Sequence, residues 1–234
     1  MNTYIVESKK LVKNYESGEV VTKVLHGVDF KVKEGEFVAV MGPSGSGKST
    51  LMYQLGLIDN PTDGEIFIEG RDMVNIPQYE RDDIRLNELG FVFQDYALVP
   101  ELTAAENVMV PLLMAGYTSR KAYERAVDYL GRVGLGERVN NLPSQLSGGE
   151  QQRVSVVRAV SNDPKILFAD EPTASLDSEM SKGVLSLLHD LNKKGQTIIM
   201  VTHEEEYGNL AERIVFLRDG VIESDRKTKK RPTK

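Results

Sequence analysis

Residues 37–50 read FVAVMGPSGSGKST, and this stretch decides the fold. Its first five residues form a short apolar run, which predicts a buried central strand. The residues from Gly42 to Thr50 fit the pattern G-x-x-x-x-G-K-[ST], and a helix is predicted from Lys48 to about Leu57. In this pattern the backbone N–H groups of the loop cradle phosphates, the lysine reaches the outer phosphates and the next hydroxyl binds Mg²⁺. The strand–loop–helix context therefore predicts a nucleotide-binding P-loop.

The sequence on both sides of this loop predicts an α/β fold. Strand patterns fill the first third of the chain, which predicts an N-terminal antiparallel subdomain. A mostly helical subdomain is predicted at about residues 95–160, inserted into the sheet core. Strand and helix patterns alternate again from KILFAD at residues 165–170 onward. We expect one domain over residues 1–225 and a basic, disordered tail over residues 226–234.

The composition favours a soluble globular protein, with 40% hydrophobic and 27% charged residues. No apolar run approaches the roughly 20 residues that span a bilayer, and the polar opening MNTYIVESKK does not resemble a secretory signal. The absence of Cys excludes disulfides and cysteine metal sites. Without the tail RKTKKRPTK the chain has 23 basic and 35 acidic residues, a net charge of −12, which argues against nucleic-acid binding. The tail itself is either solvated or a contact for anionic lipid headgroups.

Two further motifs carry chemistry. The apolar run ILFA is followed by Asp170 and Glu171, which places two carboxylates at the end of a predicted strand. Strand ends form the ligand edge of a parallel sheet, so Asp170 is predicted to hold Mg²⁺ and Glu171 to orient or polarise a water. The stretch LSGGE at residues 146–150 predicts a helix start with exposed N–H groups, which favours an anion. The same residues are also consistent with an ordinary capped helix start.

These motifs resemble those of ATP-binding-cassette (ABC) ATPases. The P-loop, LSGGE, LFADEP, the SLD at Ser175–Asp177 and the strand-terminal His203 follow the order and spacing of that family. The resemblance covers the chain to about Glu223. More narrowly, MGPSGSGKSTL, GFVFQ and LTAAENVMVPLL are similar to the macrolide-exporter and lipoprotein-release group, the MacB/LolD type. The resemblance implies a P-loop NTPase fold of the ABC type, ATP and Mg²⁺ as cofactors, and ATP hydrolysis.

The resemblance also implies roles for individual residues. Glu171 and His203 are the predicted catalytic residues, with His203 sensing the γ-phosphate. Tyr15 is predicted to stack on adenine or, alternatively, to pack in the core on the first strand. The predicted Mg²⁺ ligands are Ser49, Asp170 and Gln94, and Gln94 is predicted to end the strand GFVFQ. The other predicted nucleotide-binding residues are Gly42, Pro43, Ser44, Gly45, Ser46, Gly47, Lys48, Thr50, Ser147, Gly148, Gly149, Glu150 and Asp177, with Ser49 and Gln94 contacting the nucleotide as well.

In ABC ATPases two cassettes pair head to tail, and the LSGG segment of one closes over the γ-phosphate that the other holds. The resemblance therefore implies an ATP-dependent homodimer in which Ser147, Gly148 and Gly149 complete the partner's site and Asp177 bridges the two cassettes. Because no membrane span is predicted, we expect permease subunits on separate chains. Their predicted docking surface is DYALVPELTAAENV, beside Gln94, through residues such as Leu98 and Leu102; alternatively, these residues cover the core of the helical subdomain.

The predicted function is ATP hydrolysis at the cytoplasmic face of the membrane, driving export or extraction by that permease. One alternative is mechanotransmission, in which hydrolysis drives extracytoplasmic work without passage of a substrate. A second is a chromosome or repair ATPase, although Lys48 and Asp170 are only 122 positions apart and no sustained heptads separate them. A third is a nucleotide-binding module without hydrolysis, against which Glu171 and His203 argue.

Overall fold

The computed structural model describes residues 4–18 and 20–228. The chain divides into two compact units, the first formed by residues 1–81 and 194–234 and the second by residues 82–193. The strands are β1 (Tyr4–Ser17), β2 (Val20–Lys33), β3 (Phe37–Met41), β4 (Asp63–Ile68), β5 (Arg71–Asp72), β6 (Leu89–Val92), β7 (Ile166–Asp170), β8 (Thr197–Val201), β9 (Arg213–Arg218) and β10 (Val221–Lys227). The helices are α1 (Lys48–Leu55), α2 (Gln78–Asn87), α3 (Ala104–Met114), α4 (Ser119–Arg132), α5 (Gly148–Val160), α6 (Ser178–Lys193) and α7 (Glu205–Gly208).

The first unit contains two groups of strands. Strands β2, β1, β4 and β5 form an antiparallel sheet in that order, as predicted for the N-terminal part of the chain. Strands β10, β9, β3 and β8 lie side by side, with β3 parallel to both β9 and β8. All five residues of β3 are buried, which agrees with the apolar run that predicted a central strand. The P-loop therefore follows a strand that is held on both edges.

The second unit combines a parallel strand pair with helices. Strand β6 pairs with β7, whose five residues are all buried. Helices α3, α4 and α5 lie within residues 95–160, and their inward faces form one apolar core. Ala122, Ala126 and Leu130 of α4 are fully buried at the three- and four-residue spacing of one helical face. Residues 82–94 and 161–193 complete the unit.

Three features differ from the sequence predictions. Helix α2 was not predicted, because half of its sequence QYERDDIRLN is charged and only Ile84 and Leu86 are aliphatic. The strand predicted to end at Gln94 ends at Val92. Strand β10 continues to Lys227, so the predicted tail boundary at residue 226 is too early. The backbone continues its antiparallel pairing with β9 there, and an edge strand tolerates charged side chains.

Residues 229–234, the rest of the predicted tail, lie outside the described residues. Over residues 4–18 and 20–228, no helix combines the length and the apolar character needed to cross a bilayer.

Candidate functional site

The predicted P-loop joins strand β3 to helix α1 in the first unit. Gly47 caps the helix with φ 98°, a left-handed conformation that residues with a Cβ rarely adopt. Gly42 is packed closely, because a Cβ at this position would overlap the carbonyl oxygen of Leu217. The loop therefore turns tightly into the start of α1, where N–H groups without helical acceptors and the helix dipole favour an anion.

Two side chains of the loop fit a phosphate ligand. Ser46 is 3% exposed, and its hydroxyl has no hydrogen-bond partner within the described part of the chain. The Lys48 ammonium is buried and donates to the carbonyl oxygen of Pro43, 2.8 Å away. Buried donors are costly when unpaired, so both groups suit a ligand with several acceptor oxygens. Of the other predicted residues in the loop, Pro43, Ser44 and Gly45 are exposed, whereas Ser49 and Thr50 are half-buried.

Tyr15 lies beside this loop. Its hydroxyl donates to Asp59 Oδ2 at 2.9 Å and lies near the side chain of Thr50 in the first turn of α1. Burial and the hydrogen bond to Asp59 raise the pKa of Tyr15, so the hydroxyl stays protonated at neutral pH. The residue is 41% exposed, which argues against the alternative of core packing. A half-exposed ring next to a phosphate loop is suited to stack on a base.

His203 follows strand β8 in the same unit. Strand β8 runs parallel to β3, with Val201 opposite Val40. Because the carboxyl ends of parallel strands share one edge, the P-loop and His203 leave the strands at the same edge. His203 is exposed there. The structure thus brings together the parts of the predicted site that belong to the first unit.

Three predicted residues lie at one strand edge of the second unit. Asp170 ends strand β7 and is buried, and Glu171 follows it. Strand β6 runs parallel to β7, with Val92 opposite Ala169, so Gln94 leaves at the same edge as the two carboxylates. Glu171 has φ 42°, a left-handed conformation that costs a non-glycine residue about 1–2 kcal/mol. Strain of this kind concentrates at functional sites.

The LSGGE segment forms the start of helix α5. The Ser147 hydroxyl accepts a hydrogen bond from the Glu150 N–H at 3.3 Å, and the Glu150 carboxylate accepts one from the Ser147 N–H at 2.8 Å. The bond from the Ser147 backbone, aided by Arg138, lowers the pKa of Glu150 against the opposing effect of burial. This reciprocal capping fixes the helix start. The N–H groups of Gly148 and Gly149 in the first turn have no acceptor inside the helix.

The two glycines also allow close packing within the second unit. A Cβ on Gly149 would lie 3.0 Å from the Met180 side chain of α6, and one on Gly148 would lie 2.9 Å from the Tyr96 hydroxyl. Asp177, which was predicted to bridge two cassettes, caps α6 in this structure, because its Oδ1 accepts from the Met180 N–H at 2.8 Å. The glycine pair, the cap of α6 and Tyr96 are therefore neighbours.

Two features that lie next to predicted site residues, one beside Tyr15 and one beside Gln94, were not predicted from the sequence. The first is Lys13, whose Nζ lies 2.8 Å from Asp59 Oδ1 and 4.7 Å from the centroid of the Tyr15 ring. Side chains two apart on a strand share a face, so the alternation along β1 could have indicated Lys13. The sequence around Asp59 gives no signal for this contact, because only the tertiary fold brings Asp59 close to Lys13.

The second feature is a groove of about 320 Å³ beside Gln94. At its margin Tyr96 and Ala97 have φ values of 62° and 49°. The Arg158 guanidinium donates to both of their carbonyl oxygens, at 3.0 Å from Tyr96 O and 2.5 Å from Ala97 O. The apolar part of the groove is lined by Leu89, Phe91, Phe93, Val110, Pro111 and Met114.

Comparison with known proteins agrees with this geometry. The family model described as "ABC transporter" matches residues 25–174. The lipoprotein-releasing system ATP-binding protein LolD of Aquifex aeolicus is 46% identical over 214 residues, which cover 92% of each chain. The macrolide export ATP-binding/permease protein MacB of Bdellovibrio bacteriovorus is 44% identical over 230 residues, 97% of this chain. The chain spans only 35% of the length of that MacB protein.

Among uncharacterised relatives, the ABC transporter ATP-binding protein MJ1508 of Methanocaldococcus jannaschii is 48% identical over 93% of this chain and 97% of its own length. A solved structure is also similar: the dimeric, post-hydrolysis state of the ATP-binding cassette MJ0796 bound to ADP and Pi. It superposes with a TM-score of 0.89 at 40% identity and covers 96% of this chain and 99% of that one. These findings confirm the predicted fold, and they favour a transporter cassette over a chromosome or repair ATPase. The chain belongs to the ABC transporter family, and it is an ATP-binding cassette with ATPase activity.

Proposed function

We propose that this ATPase works as a head-to-tail homodimer that encloses two ATP molecules and drives a permease made of separate membrane chains. The observation that carries the proposal is the capped LSGG helix start, which presents N–H groups but has no lysine of its own for a phosphate. Such a site stabilises negative charge that another element holds. The dimeric state of the MJ0796 cassette supports the same arrangement.

Within each site the P-loop residues hold the nucleotide. Lys48 binds the β- and γ-phosphates, and the unpaired hydroxyl of Ser46 offers a further donor. Ser49, Gln94 and Asp170 carry oxygen atoms of the kind that Mg²⁺ prefers, and these residues would hold the ion. Magnesium, when bound, neutralises charge on the phosphate oxygens.

Glu171 and His203 are the proposed catalytic residues. Glu171 orients and polarises the attacking water, and its strained backbone supports a functional placement of the carboxylate. His203 contacts the γ-phosphate and helps to position the same water. Asp177 is the residue proposed to bridge the two cassettes in the dimer, and its Oδ1 also caps α6.

The groove beside Gln94 is the proposed docking site of the permease. Its lining is mainly apolar, and Met114 at its border is 69% exposed, as an interface residue of a monomer would be. Leu98, which was predicted to contact the permease, packs instead against the core of the helical elements. The names of LolD and MacB, a lipoprotein-releasing system and a macrolide exporter, support export or extraction at the cytoplasmic face of a cell membrane.

The test is the Glu171→Gln variant, which keeps the shape of the side chain and removes its charge. Hydrolysis should fail while binding survives, because the water is no longer polarised and repulsion of the γ-phosphate is lost. The variant should therefore run as a dimer with Mg²⁺ and ATP and as a monomer with ADP in sedimentation velocity. ATP shared across both sites makes the pairing depend on nucleotide.

Adding Ser147→Arg should return this variant to the monomer, since a bulky side chain then stands at the helix start. Thr118→Arg is the matched control, because Thr118 is an exposed cap of α4 whose side chain also accepts from a first-turn N–H. A monomer at saturating ATP without Ser147→Arg would contradict the shared site. Loss of the dimer with Thr118→Arg as well would show that the effect of arginine is not specific to LSGG.

A further inference from the structure

Lys13 is a buried lysine with three partners in the first unit. Its side chain is 11% exposed, and Nζ donates to Asp59 Oδ1 at 2.8 Å and to the carbonyl oxygen of Asn60 at 2.7 Å. The same ammonium lies 4.7 Å from the centroid of the Tyr15 ring. A cation at this distance from an aromatic face is attracted to it. Lys13 therefore lies over one face of the Tyr15 ring, and Tyr15 is still 41% exposed.

Asp59 completes the arrangement. One of its carboxylate oxygens accepts from Lys13 and the other accepts from the Tyr15 hydroxyl at 2.9 Å. Burial acts to raise the pKa of Asp59, but the bonds from Lys13 and Tyr15 outweigh it and the net pKa is lowered. The Asp59 N–H also donates to the carbonyl oxygen of Tyr53 at 3.2 Å. Asp59 is thereby fixed to the end of the helix that begins at the P-loop.

We propose that the Lys13–Asp59 ion pair is a positioning device that holds the Tyr15 ring in place as a platform for the nucleotide base. The inference rests on the proposed contact between Tyr15 and adenine. A ring that is already fixed loses less rotational freedom when a ligand binds, so pre-organisation raises affinity. Neither Lys13 nor Asp59 needs to touch the nucleotide for this effect. The pair sets the affinity for the base, and the P-loop sets the affinity for the phosphates.

The experiment compares two probes, ATP and inorganic tripolyphosphate, each titrated with Mg²⁺ into the full chain by calorimetry. Asp59→Asn and Lys13→Met should each weaken ATP binding by about three- to tenfold, part of what base stacking contributes. Tripolyphosphate has no base, so its affinity should change by less than about twofold, as expected for a group that acts only through the ring. Circular dichroism melting establishes that each variant is folded.

The chain offers a matched control in Lys31. Its Nζ pairs with Glu7 at 2.9 Å and lies 5.1 Å from the Tyr4 ring, on the same sheet as Lys13. Lys31→Met should therefore change neither affinity. A Tyr15→Ala background gives the second control, because Asp59→Asn should cause no further loss of ATP affinity once the ring is absent.

Three results would overturn the positioning role. The first is an equal loss of ATP and tripolyphosphate affinity in Asp59→Asn and Lys13→Met, and the second is a loss of ATP affinity that persists in the Tyr15→Ala background. The third is an ATP affinity that is unchanged in Asp59→Asn and Lys13→Met but clearly lower in Tyr15→Ala. This result would contradict the positioning role and still support the contact between Tyr15 and adenine. If Tyr15→Ala itself leaves ATP binding unchanged, the proposed contact with adenine fails instead.

Discussion

The Lys48 ammonium donates a hydrogen bond within the P-loop to the carbonyl oxygen of Pro43, 2.8 Å away. Nucleotide binding exchanges this neutral acceptor for charged phosphate oxygens, and hydrogen bonds between charged groups are the stronger kind. Lys48→Ala should therefore weaken ATP binding by about 10- to 100-fold, the equivalent of one or two charge-assisted hydrogen bonds. Titration calorimetry with Mg²⁺ and ATP measures this loss.

Lys121→Ala, at an exposed position of α4, is the control and should bind ATP as the wild type does. If Lys48→Ala binds ATP with an affinity within about twofold of the wild type, the loss is far smaller than one charge-assisted hydrogen bond contributes. That result would show that the loop does not hold the phosphates.

Residues of the candidate site were predictable where a short local pattern contains them. The P-loop lies within nine consecutive residues, and Ser147 and Glu150 are three apart, so strand, turn and cap signals mark them directly. Asp59 could not be found in this way, because its contact with Lys13 joins positions 46 residues apart. Such contacts depend on the packing of strands and loops and leave no periodic signal.

At the scale of elements, the groove beside Gln94 gives a test of coupling. Met114→Asp should abolish stimulation of hydrolysis by the permease, because it places a charge in an apolar interface, while basal hydrolysis remains. The measurement is ATPase activity with and without the permease in membrane vesicles. Met114 is a better choice than Leu98, since the contact of Leu98 with the core means that a charge there would damage folding.

Tyr123→Asp is the control for the groove, because Tyr123 is 43% exposed on α4 and does not line it. Stimulation that survives Met114→Asp, or co-purification with the permease at wild-type levels, would place the docking site elsewhere on the cassette.

Helices and strands could be predicted from the sequence where their hydrophobic pattern is clear. Strands β3, β7 and β8 are buried on both faces and appear in the sequence as short apolar runs. Helix α4 was predicted from its apolar face. Helix α2 has no continuous apolar face, because charged residues dominate it, and only the tertiary fold determines its helical state. The exact end of β6 was missed because Phe93 and Gln94 continue its pattern in sequence but leave the strand.

At the scale of the whole molecule, the last residues of β10 are part of the fold. Arg226 and Lys227 pair with Ile214 and Arg213, and Thr228 donates its N–H to Glu212 O at 2.9 Å. Truncation after Thr228 should leave stability and hydrolysis unchanged. Truncation after Asp225 removes these hydrogen bonds and should lower the free energy of unfolding by about 1–3 kcal/mol, since each bond contributes roughly 1 kcal/mol.

Thermal denaturation of the two truncated proteins makes the comparison, with ATPase activity as the second readout. Equal stability of both would mean that the last residues of β10 add nothing to the fold. If the protein truncated after Thr228 no longer binds membranes but still hydrolyses ATP, the result would support a contact of the basic C-terminal residues with anionic lipids.

Tyr96 and Ala97 are two consecutive residues with a strained, left-handed backbone. Each left-handed conformation costs about 1–2 kcal/mol in a non-glycine residue. The hydrogen bonds from the Arg158 guanidinium to the two carbonyl oxygens stabilise this strained turn. Arg158 belongs to the same helix that presents Ser147 at its other end. The turn beside the groove and the LSGG segment are therefore attached to opposite ends of one helix, so a movement of the turn that displaces Arg158 would also displace Ser147.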